Sequence, residues 1–257
     1  MPEIISNDYI SSDYYYMKVD APEVAVQGLP GQFAHIKVNS DQKSYDPLLR
    51  RPFSFFDINK EKGIIEIVYC AVGRGTRILS TQKKGFNLDI LGPLGKNFNY
   101  NLNGKNILIV GGGMGIAPLY YLTKKLVTKN QVKVLLGGNS KDDIYFFIKH
   151  FTNLKLSIEY ATIDGSKGYQ GTVTDLWENE VNSKEIDFIF SCGPVAMLKK
   201  IKKIAGEQNI PGQVSLEERM GCGIGVCLSC ICKTEKGNAR VCKEGPVFSL
   251  KEVIFDE

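Results

Sequence analysis

Three hydrophobic textures succeed one another along the chain. Over the first hundred residues, short runs alternate apolar with polar positions or are rich in strand formers: YYYMKV at 14–19, QFAHIKV at 32–38, FSFFDI at 53–58 and GIIEIVYC at 63–70. Turn signals such as Gly28-Leu29-Pro30-Gly31 and Gly92-Pro93 separate them. A two-residue period punctuated by glycine and proline predicts short antiparallel strands closed into a β barrel or sandwich, without a long helix.

The pattern changes near residue 104. NILIV at 106–110 is continuously apolar, as a strand covered on both faces must be, and a glycine cluster then leads into the helical stretch APLYYLTKKLVTK. Further apolar strands are predicted at 131–136, 154–161 and 187–192, with helical segments between and after them, notably PVAMLKKIKKIAGEQ at 194–208. This alternation predicts a doubly wound parallel α/β sheet. From about residue 219, Gly221, Gly223, Gly225 and crowded cysteines leave too little apolar sequence for an independent core, so the tail calls for a metal centre as a staple. The predicted domains are residues 1–102, 103–218 and 219–257.

Composition narrows the classes. With 257 residues, 43% hydrophobic and 23% charged, the chain suits one large domain or two of average size. A net charge of +4 from 32 basic and 28 acidic residues, without a block of like charge, argues against nucleic acid. No run approaches the roughly 18 apolar residues of a membrane span, and the start lacks a secretory layout, so the expected location is cytoplasmic and no membrane partner is expected. His35 and His150 are the two histidines and stand in unrelated contexts, which disfavours histidine triads and histidine-rich metal sites.

Cysteine carries the strongest signal. Cys222, Cys227, Cys230 and Cys242 form C-x4-C-x2-C-x11-C, the plant-type spacing for a [2Fe-2S] cluster. Flanking glycines let such a loop wrap closely and aim backbone N–H groups at sulfur. A structural zinc knot uses the same residue type, but zinc favours two short C-x2-C pairs. Cys232 is left as a spare thiol. Cys70, inside a strand pattern, reads as core.

Three further motifs point to cofactors. Gly111 to Leu119, GGGMGIAPL, follows a buried strand and opens a helix, so its N–H groups can meet a pyrophosphate, although Pro118 stands where a dinucleotide fingerprint has glycine. Ser191-Cys192-Gly193-Pro194 ends a later strand, at the edge where open α/β sheets bind ligands; Cys192 either faces a nicotinamide or is a small buried hydrophobe. Arg51-Pro52-Phe53-Ser54 combines a phosphate-binding cation with a hydroxyl able to reach a flavin nitrogen, and Gly73-Arg74-Gly75-Thr76 offers backbone amides to a phosphate.

Taken in order across a barrel-to-sheet transition, RPFS, VGRGT, GGGMGIAPL and SCGP resemble the ferredoxin-NADP reductase superfamily over roughly residues 5–218. With the CGIGVCLSC tail and ARVCKEGPVF, the chain is similar to one branch, the electron transfer subunits of type B dihydroorotate dehydrogenases. The resemblance implies FAD held by Arg51, Pro52, Phe53 and Ser54, by Val68, Tyr69 and Cys70, and by Gly75 and Thr76, with Ser54 near the reactive flavin edge. It implies NAD as exchangeable electron acceptor, its pyrophosphate against Gly112, Gly113, Met114, Gly115, Ile116 and Ala117 and its nicotinamide led past Cys192, Gly193 and Pro194. Ser54 and Cys192 are the implied catalytic residues, and Cys222, Cys227, Cys230 and Cys242 the implied cluster ligands.

The implied partner is an FMN-containing catalytic subunit that oxidises dihydroorotate in pyrimidine biosynthesis, in a heterotetramer of two subunits of each kind. An apolar loop at Ile224, Val226 and Leu228 suits docking against it, or packing inward. Subunits of transhydrogenases, hydrogenases and sulfide reductases share the arrangement and remain as alternatives, as does a zinc-stapled binding module without flavin. NAD rests on the resemblance: the second strand ends LLGGNSKDD without an acid at the usual ribose position, and Lys141 is a candidate for a 2′-phosphate.

Overall fold

Strand formation at the N-terminus follows the two-residue period. β1 (Glu3–Ser11), β2 (Tyr14–Asp20), α1 (Pro22–Gln27), β3 (Phe33–Lys37), β4 (Arg51–Ser54), β5 (Asp57–Asn59), β6 (Ile64–Cys70), α2 (Arg74–Thr81) and β7 (Asp89–Leu94) follow in that order. The computed structural model describes residues 1–39, 46–183 and 185–255. Pairing is antiparallel throughout, in two sheets ordered β1-β2-β6-β5 and β4-β3-β7. Alternate positions Met17, Val19, Ile65 and Ile67 are fully buried while Lys18 and Glu66 between them reach solvent, so one face of each strand builds the barrel core.

The second texture gives the α/β sheet. It contains β8 (Asn106–Gly112), a 3-10 turn (Gly113–Ile116), α3 (Ala117–Leu126), β9 (Gln131–Gly138), α4 (Lys141–Thr152), β10 (Ser157–Thr162), β11 (Tyr169–Gln170), α5 (Val173–Ser183), β12 (Phe188–Cys192), α6 (Val195–Glu207) and β13 (Gly212–Ser215). These strands lie parallel in the order β11-β10-β9-β8-β12-β13. Ile107, Leu108, Ile109 and Val110 of β8 are all buried, which is why this strand reads as a continuous apolar run. Strand order reverses between β8 and β12, and the crevice beyond their carboxyl ends is the place where such sheets take ligands.

Barrel and sheet are locked along α3. Phe56 stacks on Tyr120 with ring centroids 4.5 Å apart, and Lys124 pairs with Asp57 at 2.5 Å. Apolar residues of both parts, among them Tyr14, Val68, Ile116 and Phe147, share one core.

The tail adds β14 (Ile231–Thr234), β15 (Gly237–Arg240), β16 (Val247–Ser249) and β17 (Val253–Ile254). β15-β14-β17 form a small antiparallel sheet. β16 leaves it and pairs antiparallel with β13 at the edge of the central sheet, where Val241, Phe248, Leu250 and Val253 bury against Leu198, Ile201 and Val214. The metal staple expected from the sequence therefore has a companion: the tail anchors itself to a neighbouring core. A three-residue strand is too short to show a period in the sequence. Among the described residues, no helix is long and apolar enough to cross a membrane.

Candidate active site and metal centre

The arginine motif lines a cleft. Arg51, Pro52 and Phe53 of β4, the segment Asp46 to Leu49, Thr76 of α2 and Glu217 to Met220 enclose about 750 Å³. The Arg51 guanidinium is tied to the Leu49 carbonyl at 2.5 Å and lies across Gly75 in the first turn of α2, so cation and helix N-terminus face the same space. Thr76 is occupied as a cap: its hydroxyl accepts from the Gly73 N–H at 3.1 Å and donates to the Gly73 carbonyl at 3.0 Å. Ser54 ends β4 opposite Phe33, outside the lining of this cleft. Val68 and Tyr69 turn their side chains into the cores; Tyr69 meets Phe53 edge-on at 5.5 Å and donates to Asn7 Oδ1 at 2.9 Å. Cys70 is half-buried, with burial pushing its thiol up. The structure thus gathers Arg51 to Phe53 with Gly75 and Thr76, while Tyr69 supports the motif from behind and Val68 packs into the core shared with the α/β sheet.

The glycine turn and SCGP meet at the switch point. A Cβ on Gly115 would stand 2.5 Å from the Cys192 carbonyl carbon and oxygen, so only glycine lets the two turns close together. Two confluent clefts run from here, sharing Gly112, Gly113 and Pro194. One, of about 510 Å³, passes between Gly137 to Asn139, Asp143 and Thr172 to Asp175. The other, of about 700 Å³, passes Met114, Gly115 and Gly193 toward Glu217, Glu218 and the Ile231 to Lys233 strand. Ile116 and Ala117 are buried beneath the turn. The Cys192 thiol is buried too; burial first, then the Glu217 charge, raise its pKa against an opposing hydrogen bond with Ser215. Its thiol is therefore held protonated, while Gly193 and Pro194 line the cleft.

Two acids were not singled out by sequence. Asp143 lies five residues beyond the end of β9, yet its Oδ2 accepts the N–H groups of Asn139 at 2.9 Å and Ser140 at 3.3 Å. This carboxylate, acting in a capping box with Ser140, stands at the end of the second parallel strand. Ser-x-x-Asp was the available signal. Lys141 instead holds its ammonium over the Tyr145 ring at 5.3 Å and is absent from the cleft lining. Glu217, its side chain exposed, lines both the Arg51 cleft and the larger cleft at the glycine turn, and the protein walls around those clefts push its carboxyl above the usual range.

The four cysteines converge as two pairs. Cys222 Sγ accepts the N–H groups of Val226 at 3.3 Å and Cys227 at 3.4 Å, and Cys230 Sγ accepts the Cys242 N–H at 3.4 Å. The Ser229 hydroxyl lies 3.2 Å from Cys227 Sγ; chiefly through that contact, the Cys227 thiol is drawn down to about 6. Burial and the neighbouring Cys230 push Cys242 up to about 12. Cys222 stands beside Cys227 and Cys230 beside Cys242, and two thiolates per iron is what a two-iron cluster requires. Arg240 secures the loop by donating to the Gly225 carbonyl at 2.7 Å while Glu244 accepts from its Nε at 2.9 Å. Cys232 is half-buried in the wall of the larger cleft at the glycine turn. Ile224, Val226 and Leu228 project outward with exposures of 49, 73 and 60%.

Known proteins match this layout part by part. The family profile described as "Iron-sulfur cluster binding domain of dihydroorotate dehydrogenase B" matches residues 217–254, and "Oxidoreductase NAD-binding domain" matches residues 109–203. The dihydroorotate dehydrogenase B (NAD(+)) electron transfer subunit of Desulforamulus reducens is 40% identical over 252 residues, 96% of this chain and 95% of that protein. That of Bacillus pumilus is 42% identical over 258 residues, 98% and 96%. A solved NADH-dependent reduced ferredoxin-NADP oxidoreductase superimposes with a TM-score of 0.87 at 30% identity, covering 99% of this chain and 90% of that one. A ferredoxin NADP+ reductase from Neisseria gonorrhoeae shares the fold, with a TM-score of 0.67 at 14% identity over 85% and 93% of the two chains. The chain belongs to the family of dihydroorotate dehydrogenase B (NAD(+)) electron transfer subunits.

Proposed function

We propose that this chain is the electron transfer subunit of an NAD-dependent dihydroorotate dehydrogenase in pyrimidine biosynthesis, an oxidoreductase with FAD, a [2Fe-2S] cluster and NAD. One observation carries the reading. Glu217 and Glu218 line both the Arg51 cleft and the nucleotide cleft, and the cluster loop begins a few residues later, so three sites meet around one segment. A flavin bound in the Arg51 cleft supplies conversion between the hydride pair that NAD exchanges and the single electrons that iron–sulfur exchanges.

The chain's own residues divide the remaining work. Arg51 and the α2 N-terminus neutralise phosphate, and Gly112 to Gly115 offer close backbone approach to a dinucleotide pyrophosphate. Gly193 and Pro194 wall the path toward Glu217. Asp143 receives the adenosine ribose, which favours NAD over its 2′-phosphorylated form by charge repulsion. Cys222, Cys227, Cys230 and Cys242 hold the cluster, and the exposed Ile224, Val226 and Leu228 meet the partner. The proposed domains are residues 1–102, 103–218 and 219–257; residues 40–45, 184, 256 and 257 lie outside those described.

Dihydroorotate oxidation belongs to a separate FMN-bearing subunit, in a cytoplasmic heterotetramer of two subunits of each kind. Anaerobic isolation of the tagged chain from its own cells tests this. Equal amounts of FAD and FMN, two irons per chain and a companion of different size are the expected composition; a preparation without flavin and iron contradicts it.

A further inference from the structure

His35 lies at the centre of β3, paired with Pro52 of the arginine motif on one side and Leu91 of β7 on the other. Its side chain is 0% exposed, neither Nδ1 nor Nε2 makes a hydrogen bond of good geometry, and the polar groups nearest them are the backbones of Cys222 and Arg50. A fully buried imidazole so weakly hydrogen-bonded is costly where leucine or phenylalanine would fill the same space, so its polar atoms need a reason. The ring faces the cluster loop: a Cβ on Gly223 would stand 2.5 Å from Nδ1, and the backbone of Cys222 lies beside it. Gly223 has φ +73°, so loop and ring meet at a place where a side chain is excluded by both conformation and space.

We propose that His35 is a positioning residue for the iron–sulfur centre, its imidazole hydrogen-bonding the Cys222 segment and so fixing the first cluster cysteine against the strand paired with the arginine motif. Through β3, one side chain then spans the two redox sites: Pro52 of the flavin cleft is its strand partner and Cys222 its loop contact. A ring N–H directed at the backbone of a cluster cysteine sets positive charge density near the cluster, which favours its reduced, more negative state and raises its potential. The inference rests on the electron-transfer reading above. If the unmodified complex carries no iron, that reading fails before any variant is made.

The test compares the unmodified complex with His35→Phe, which keeps bulk and loses the donor, and His35→Gln, which restores one. Anaerobic samples are assayed for iron, for the paramagnetic spectrum of the reduced cluster, for its midpoint potential relative to FAD, and for the rate of its reduction by NADH. The expected result for His35→Phe is a loaded cluster with an altered spectrum, a lower potential and reduction slowed about tenfold, with His35→Gln close to the unmodified protein. A purely packing role would leave the spectrum and potential of loaded molecules unchanged, and that result in His35→Phe overturns the proposal. Should His35→Phe lose iron, His35→Gln decides: recovered iron and spectrum support the donor, and failure to recover overturns it.

Discussion

The backbone of Gly115 touches the carbonyl of Cys192. That contact closes the β8 turn against the β12 turn at the point where strand order reverses, and it shapes both nucleotide clefts. Gly115→Ala places a Cβ 2.5 Å from main-chain atoms that have no room to move. The substitution is expected to lower stability by about 2 kcal/mol and weaken NADH binding, while iron content is retained. Chemical denaturation and NADH titration of the flavin spectrum check both effects.

Arg51 is the cation lining the cleft proposed for flavin. Arg51→Ala removes a charge-assisted contact to phosphate worth about 1.5–3 kcal/mol, so FAD is expected to dissociate at least tenfold more readily. Arg51→Lys keeps the charge without the planar fork and is expected to recover part of the loss. Flavin released on gel filtration measures it; full retention in Arg51→Ala would assign the cleft to another ligand.

Cofactor choice should turn on Asp143. Asp143→Asn keeps an acceptor for the Asn139 and Ser140 N–H groups and removes the negative charge. The preference for NADH over NADPH, taken as the ratio of kcat/KM values, is expected to fall about tenfold with little change in helix content. An unchanged ratio would place the ribose elsewhere.

Removing iron should expose a ranking of thiols. Cys227 is exposed with its thiol drawn down to about 6, while Cys192 is buried with its pKa raised. After chelation at neutral pH, iodoacetamide is expected to label Cys227 well before Cys192, and peptide mass spectrometry reads the order. In the iron-loaded protein Cys227 should be protected. Rapid labelling of Cys192 in folded protein would contradict its burial.

The barrel-to-sheet organisation was legible because both halves obey simple periods, two along β2 and β6 and continuous burial along β8. Gly115 and the four clustered cysteines were legible because backbone approach and thiolate ligation restrict residue type at fixed spacing. Asp143 was not, since its carboxylate reaches the end of β9 only by folding back over the first turn of α4. His35 was set aside as isolated, because its neighbour Gly223 is distant along the chain and the meeting is made by the tail's attachment to the central sheet. Val68 and Tyr69 show the reverse limit: the motif is visible, but a strand alternates its faces and turns these side chains into the cores.

The most direct measurement follows electrons from end to end in the anaerobically isolated complex: dihydroorotate is added and NADH formation is recorded together with the cluster signal. The account predicts NADH formation that requires the FMN-bearing companion and is lost in Cys222→Ser, while dihydroorotate still reduces FMN in that variant. A complex holding FAD, FMN and iron that reduces NAD at the same rate without the cluster, or that does not reduce it from dihydroorotate at all, would contradict it.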